Sequence, residues 1–106
     1  MIHVIATITV KPGKRAEFLA VFNGNVPNVL AESGCLFYQP TVDADSGIHI
    51  QGALRENTVT VVEQWQSLDH LRAHLAAPHM RAYSKEVKEK DLVEGVALQV
   101  LEPAGV

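Results

Sequence analysis

The chain has 106 residues, 47% of them hydrophobic and 20% charged, with a formal charge of −3, the balance of one globular domain. No run of one sign offers a phosphate-binding surface, and no apolar stretch approaches the ~20 residues that span a bilayer, so neither nucleic acid nor a membrane is an expected partner. The start, Met1-Ile2-His3-Val4, lacks a basic segment followed by a long apolar one, which predicts a cytoplasmic protein.

From Ile2 to Val10 the chain alternates, with Ile2, Val4, Ala6, Ile8 and Val10 on one face. Period two with β-branched residues predicts a strand, stopped by Pro12-Gly13. From Lys14 the period becomes helical, carried by Phe18, Leu19, Phe22, Val26, Val29 and Leu30. Pro27 removes a donor inside this pattern, so a kink or break is expected there. Cys35 to Val42 reads as a second strand, with Leu36, Tyr38 and Val42 facing one way and Cys35, Phe37 and Gln39 the other. Cys35 has no partner within the chain and reads as a small buried hydrophobe.

Residues 41–57 are loop-like, and Ile48-His49-Ile50-Gln51 alternates as a short edge strand would. A freely disordered loop has little need of Ile48, Ile50 and Leu54. The segment is therefore expected to pack on a partner subunit or over a pocket mouth. Thr58 to Trp65 is the third strand, with Val59, Val61, Glu63 and Trp65 on one face. Ser67 offers an N-cap to a helix with a Leu68, Leu71 and Leu75 stripe. Pro78 interrupts it, and a further short helix carries Met80, Tyr83 and Val87. Val93 to Leu101 is the last strand, and 102–106 is a tail.

The order β, α, β, β, α, β predicts one α+β domain over 1–106, a ferredoxin-like, four-stranded antiparallel sheet with its helices on one face. The other face would carry Ile5, Phe37, Val62 and alternate residues of 96–101. A symmetric homodimer would cover it.

Several stretches at this spacing resemble a known family. They are Val10-Lys11-Pro12-Gly13-Lys14 with Glu17-Phe18, Glu32-Ser33-Gly34-Cys35-Leu36-Phe37-Tyr38, Val62-Glu63-Gln64-Trp65, and Leu71, His74-Leu75 and Pro78-His79-Met80. The chain resembles the antibiotic biosynthesis monooxygenase domains of the dimeric α+β barrel superfamily, and within them the quinol monooxygenase subgroup. The resemblance implies a homodimer that oxygenates small phenols or quinols with O2 and without metal, haem or flavin. Haem-degrading relatives use an Asn, Trp and His set. Here only Trp65 is kept, with Ala6 and Ser84 at the other two positions, which argues against haem.

Glu63 among Val59, Val61 and Trp65 is either paired with a donor or carries a raised pKa suited to a general base. His74 and His79 flank Pro78. They either look into the gap between helices and sheet, where a histidine accepts a phenolic proton, or bond free helix-end carbonyls. His74 is the favoured base, because Leu71 and Leu75 anchor its helix. Trp65, Phe22, Met80 and Tyr83 are the expected pocket wall, and Tyr38 and Tyr83 are candidates to bind a substrate oxygen; each is equally at home as core. His70 and His74 have a two-ligand metal spacing but no third ligand nearby, and no metal or cofactor is expected. The alternatives are an isomerase or other small-molecule-degrading enzyme on the same scaffold, or a non-enzymatic binding module. In the last, the pocket would be filled by the chain's own side chains.

Overall fold

The computed structural model describes residues 1–105. Its elements are β1 (Ile2–Val10), α1 (Arg15–Leu30), β2 (Cys35–Thr41), β3 (Thr58–Trp65), α2 (Leu68–Leu75), α3 (Pro78–Glu89) and β4 (Val93–Leu101). The strands form one antiparallel sheet in the order β2-β3-β1-β4. This is the ferredoxin-like arrangement that the element order predicts.

The alternation in β1 and β3 does what period two requires. Val4, Ala6, Ile8, Val59, Val61 and Trp65 all turn toward the helices and are buried. Phe18, Phe22 and Val29 come down on them from α1, and Leu71 from α2. Burying one such large apolar side chain stabilises the fold by roughly 1.5–3 kcal/mol. Leu30, Leu68 and Leu75 stand about half exposed, so the apolar stripes of α1 and α2 are narrower than the periodicity predicts. On α2 the second buried residue after Leu71 is His74.

Three expectations are corrected. The helix does not break at Pro27, because α1 runs through it to Leu30. The lost donor falls in the last turn, where the chain recovers at once: Ala31 N–H donates to the Pro27 carbonyl at 3.2 Å. Cys35 and Tyr38 do not face opposite ways. A bulge between Cys35 and Phe37 inserts one extra residue and brings Cys35, opposite Trp65, onto the helix side with Tyr38. Residues 48–51 form a turn and not a strand, closed by Gln51 N–H donating to the Ile48 carbonyl.

The faces of β4 follow the alternation expected, with Ala97, Gln99 and Leu101 on the face of Ile5. Register pairs Val96 with Ile8, Leu98 with Ala6 and Val100 with Val4, so the apolar row of β4 lies on the helix side. Val96, Leu98 and Val100 are still 63%, 43% and 41% exposed. The opposite sheet face carries Ile5, Val62, Phe37 and Leu101 among Thr and Gln residues.

The 42–57 segment is an ordered arm. Arg55 clamps its base, donating from Nε and Nη2 to the two oxygens of Asp43 at 2.9 and 2.8 Å. These bonds hold the Asp43 carboxyl at about 2, below the usual carboxylate range. Inside the arm, Gln51 Nε2 donates to the Ala44 carbonyl at 2.8 Å. No helix among the described residues is long and apolar enough to cross a membrane.

Candidate active site

Three local features converge under the helices. First, β3 places Glu63 and Trp65 two residues apart, hence on one face. Trp65 Nε1 donates to Glu63 Oε1 at 2.9 Å. Glu63 is 5% exposed. Burial pushes its carboxyl up from 4.5 to about 7; the Trp65 bond opposes this and the nearby Glu32 charge adds to it. Its charge state therefore changes near neutrality, as a general base requires.

Second, Ser67 caps α2. Its hydroxyl accepts from His70 N–H and lies 2.7 Å from His70 Nδ1. That start phases α2 so that His74 points inward, 1% exposed. The His74 ring lies 4.6 Å from the Trp65 ring and 5.5 Å, edge-on, from Tyr38. Third, Ala77-Pro78 breaks the chain and restarts it as α3, with Pro78 in its first turn, where a missing donor costs nothing. His79 follows immediately and faces the same spot as His74.

What joins them is Glu32, just beyond the end of α1. Its Oε2 lies 2.8 Å from His74 Nδ1 and 3.1 Å from His79 Nε2. The first contact is a hydrogen bond. The second is out of line for one, so both ring nitrogens of His79 are shielded from water without a hydrogen-bond partner among the described residues. The sequence reading did not single out Glu32 as a site residue. A carboxylate at a helix end reads as solvated, and its contact with His74 spans 42 positions. A carboxylate bonded to Nδ1 fixes the tautomer and orientation of an imidazole and stabilises its protonated form.

The aromatic residues expected as a pocket wall pack on one another. Phe22 stacks on Tyr38 at 5.5 Å and meets Tyr83 edge-on at 5.7 Å. Burial raises both tyrosine hydroxyls well above their ordinary range, so they act as donors and not as bases. Burial with Glu32 and Glu63 nearby likewise raises the Cys35 thiol, which keeps it from being a ready nucleophile. Among the described residues no three His, Cys, Asp or Glu side chains gather in a way that can hold a metal ion.

A wider cavity lies elsewhere. It is an open groove of about 470 Å³ between α1 and α3, lined by Gly24, Asn25, Asn28, His79, Tyr83 and Lys90 among others. Of the expected site residues only His79 and Tyr83 reach it. His74, Glu63, Trp65, Tyr38, Phe22 and Met80 do not line it, although Met80 Sδ accepts from Asn25 Nδ2 at 3.4 Å.

Comparison with known proteins adds the following. Residues 1–86 match the family described as Antibiotic biosynthesis monooxygenase. The chain is 42% identical over 105 residues to "Probable quinol monooxygenase YgiN" of Escherichia coli K12, covering 97% of this chain and 98% of the relative. Among solved structures, Rv0793 from Mycobacterium tuberculosis is 27% identical with a TM-score of 0.77, over 99% of this chain and 96% of that one. PA3566 from Pseudomonas aeruginosa is 24% identical with a TM-score of 0.79, over 98% and 94%.

Proposed function

Because the chain belongs to the antibiotic biosynthesis monooxygenase family, we propose that it is a cytoplasmic, homodimeric monooxygenase that oxidises a small phenol or quinol with O2 and no cofactor. The observation that carries this reading is a single carboxylate, Glu32, set against two histidines beside a second carboxylate, Glu63, held at about 7.

Ground-state O2 reacts slowly with closed-shell molecules, and an ionised quinol is electron-rich enough to reduce it directly. The protein's work is then to take the proton and hold the anion. Histidine linked to a carboxylate suits the first task. His74 is bonded to Glu32 and packed between the tilted Trp65 ring and the edge-on Tyr38 ring; His79 touches the same oxygen from the cavity side. The Tyr83 hydroxyl, on the cavity wall and kept protonated by burial, is suited to donate to a phenolate oxygen, whereas Tyr38 packs on Phe22 and His74. Trp65 and Phe22, with Met80 packed against the same core, supply the apolar surround of the buried His74 and Glu63, where charge is little screened by water. Oxygen insertion at a ring carbon places one atom of O2 in the product quinone, and the other leaves as water.

The test is oxygen uptake with a panel of catechol, hydroquinone and dihydroxynaphthalenes. Wild-type protein should consume O2 well above the spontaneous rate. Glu32→Gln, His74→Ala and Glu63→Gln should each lower turnover by ~10²-fold while leaving the fold intact. Trp65→Phe removes the Nε1–H that bonds Glu63 Oε1 and should lower kcat with little change in KM. Wild-type turnover in all three acid–base variants would remove the proposed base. Substrate conversion without oxygen consumption would favour an isomerase.

A further inference from the structure

The groove between α1 and α3 has one feature that the fold itself does not require. Gly24 sits in the interior of α1, where glycine weakens a helix relative to alanine. Glycine there usually answers to crowding or to a positive φ. Neither applies: a Cβ built on Gly24 meets nothing within 4 Å, and the residue is not among those with positive φ. The space above Gly24 is left open by this chain and is part of a cavity of about 470 Å³, within the range that takes small organic ligands.

Its walls are mixed in a defined way. Val21 and Tyr83 give apolar and aromatic surface, while Asn25 and Asn28 give amides. Asn25 Nδ2 donates only to the Met80 thioether, a weak acceptor that a ligand oxygen outcompetes. His79, on the same wall, has its Nε2 3.1 Å from the Glu32 carboxylate, while its Nδ1 is buried without a hydrogen-bond partner among the described residues. A buried donor without an acceptor is destabilising, and a ligand oxygen supplies one.

We propose that the α1–α3 groove is the recognition site for a flat aromatic ring bearing hydroxyl or carbonyl oxygens. The ring lies over Gly24 against Tyr83, with its oxygens toward Asn25 and His79. This rests on the proposed quinol chemistry for the class of ring, and it adds a location, since Trp65, Glu63 and His74 do not line the groove. From there the Glu32 carboxylate, 3.1 Å behind His79 and 2.8 Å from His74, ties the ring's position to the buried acid–base pair.

The test separates binding from turnover. The probe is 2,6-dihydroxynaphthalene under nitrogen, titrated into 15N-labelled protein. Amide shifts should concentrate on Gly24, Asn25, Asn28 and Ala82. By calorimetry Gly24→Leu, which fills the groove, should weaken binding at least tenfold, whereas Ala16→Leu on the same helix should bind as wild type. If Gly24→Leu fails to fold, the wild-type shift map alone decides. Shifts centred on Trp65 and Phe22 with the groove silent, no binding at millimolar probe, or unchanged affinity in folded Gly24→Leu would each overturn the proposal. Oxygen uptake is read separately: binding in the groove without oxygen consumption leaves the site standing and removes the monooxygenase reading. Oxygen consumption that survives in Gly24→Leu does the reverse.

Discussion

Burial holds Glu63 at about 7 against an ordinary 4.5, and that displacement has a thermodynamic sign. The folded chain binds this proton more tightly than the unfolded one, so the contribution to stability is complete below about pH 4.5. It declines as pH rises toward about 7, by about 3 kcal/mol in all, and then levels off. Glu63→Gln keeps the shape and the acceptor for Trp65 but cannot ionise. Denaturant melts at about pH 5 and pH 8 should show a fall in wild-type stability that is reduced in the variant by most of this amount. An equal fall in both would mean that Glu63 is solvated. Gly34 is a second residue whose chemistry is dictated locally. Its φ is +81°, and a Cβ there would collide with the His70 ring. Gly34→Ala should cost about 2 kcal/mol or more, from backbone strain plus displacement of His70, read as a lowered Tm.

At the level of elements, the α2 cap carries more than its own helix. Ser67 bonds both the backbone and the ring of His70, and it sets the phase that turns His74 inward. Ser67→Ala should cost about 1 kcal/mol. It should also broaden the His74 ring resonances, a change that loss of an unrelated cap would not produce. The elements themselves were legible: β1, β3, β4, the Ser67 start and the Pro78 restart all follow from alternation, capping and proline chemistry. Less legible was anything set by a single extra residue or by distant packing. The β2 bulge reverses Cys35 relative to Tyr38 without a compositional mark. Leu30, Leu68 and Leu75 fit a helical stripe yet stay about half exposed. Glu63, Trp65, His74 and His79 could be singled out because their residue types carry chemistry. Glu32 could not be recognised as the group that joins the histidines, because only the fold brings it to them.

For the molecule as a whole, the uncovered surface is informative. Val96, Leu98 and Val100 form an exposed apolar row, and the clamped arm holds out Ile48 at 64% and Ile50 at 89% exposure. The single chain does not fold its arm over its own cavity, which leaves a partner subunit as its proposed seat. Light scattering at micromolar concentration should therefore give twice 11.6 kDa, and Leu98→Asp should shift the population toward monomer. A monomeric wild type would sink the dimer. Arg55→Ala, which opens the clamp on Asp43, should weaken association without unfolding the sheet. The β4 row has a kinetic corollary as well. β4 is an edge strand, and an edge backed by uncovered valine and leucine is a template for indiscriminate strand addition. In the proposed dimer, each newly folded chain is thus at risk of aggregating until it meets its partner, and that capture is a bimolecular step. Recovery of native protein after dilution from denaturant should consequently have an optimum in chain concentration: too dilute, and chains wait unprotected; too concentrated, and off-pathway addition wins.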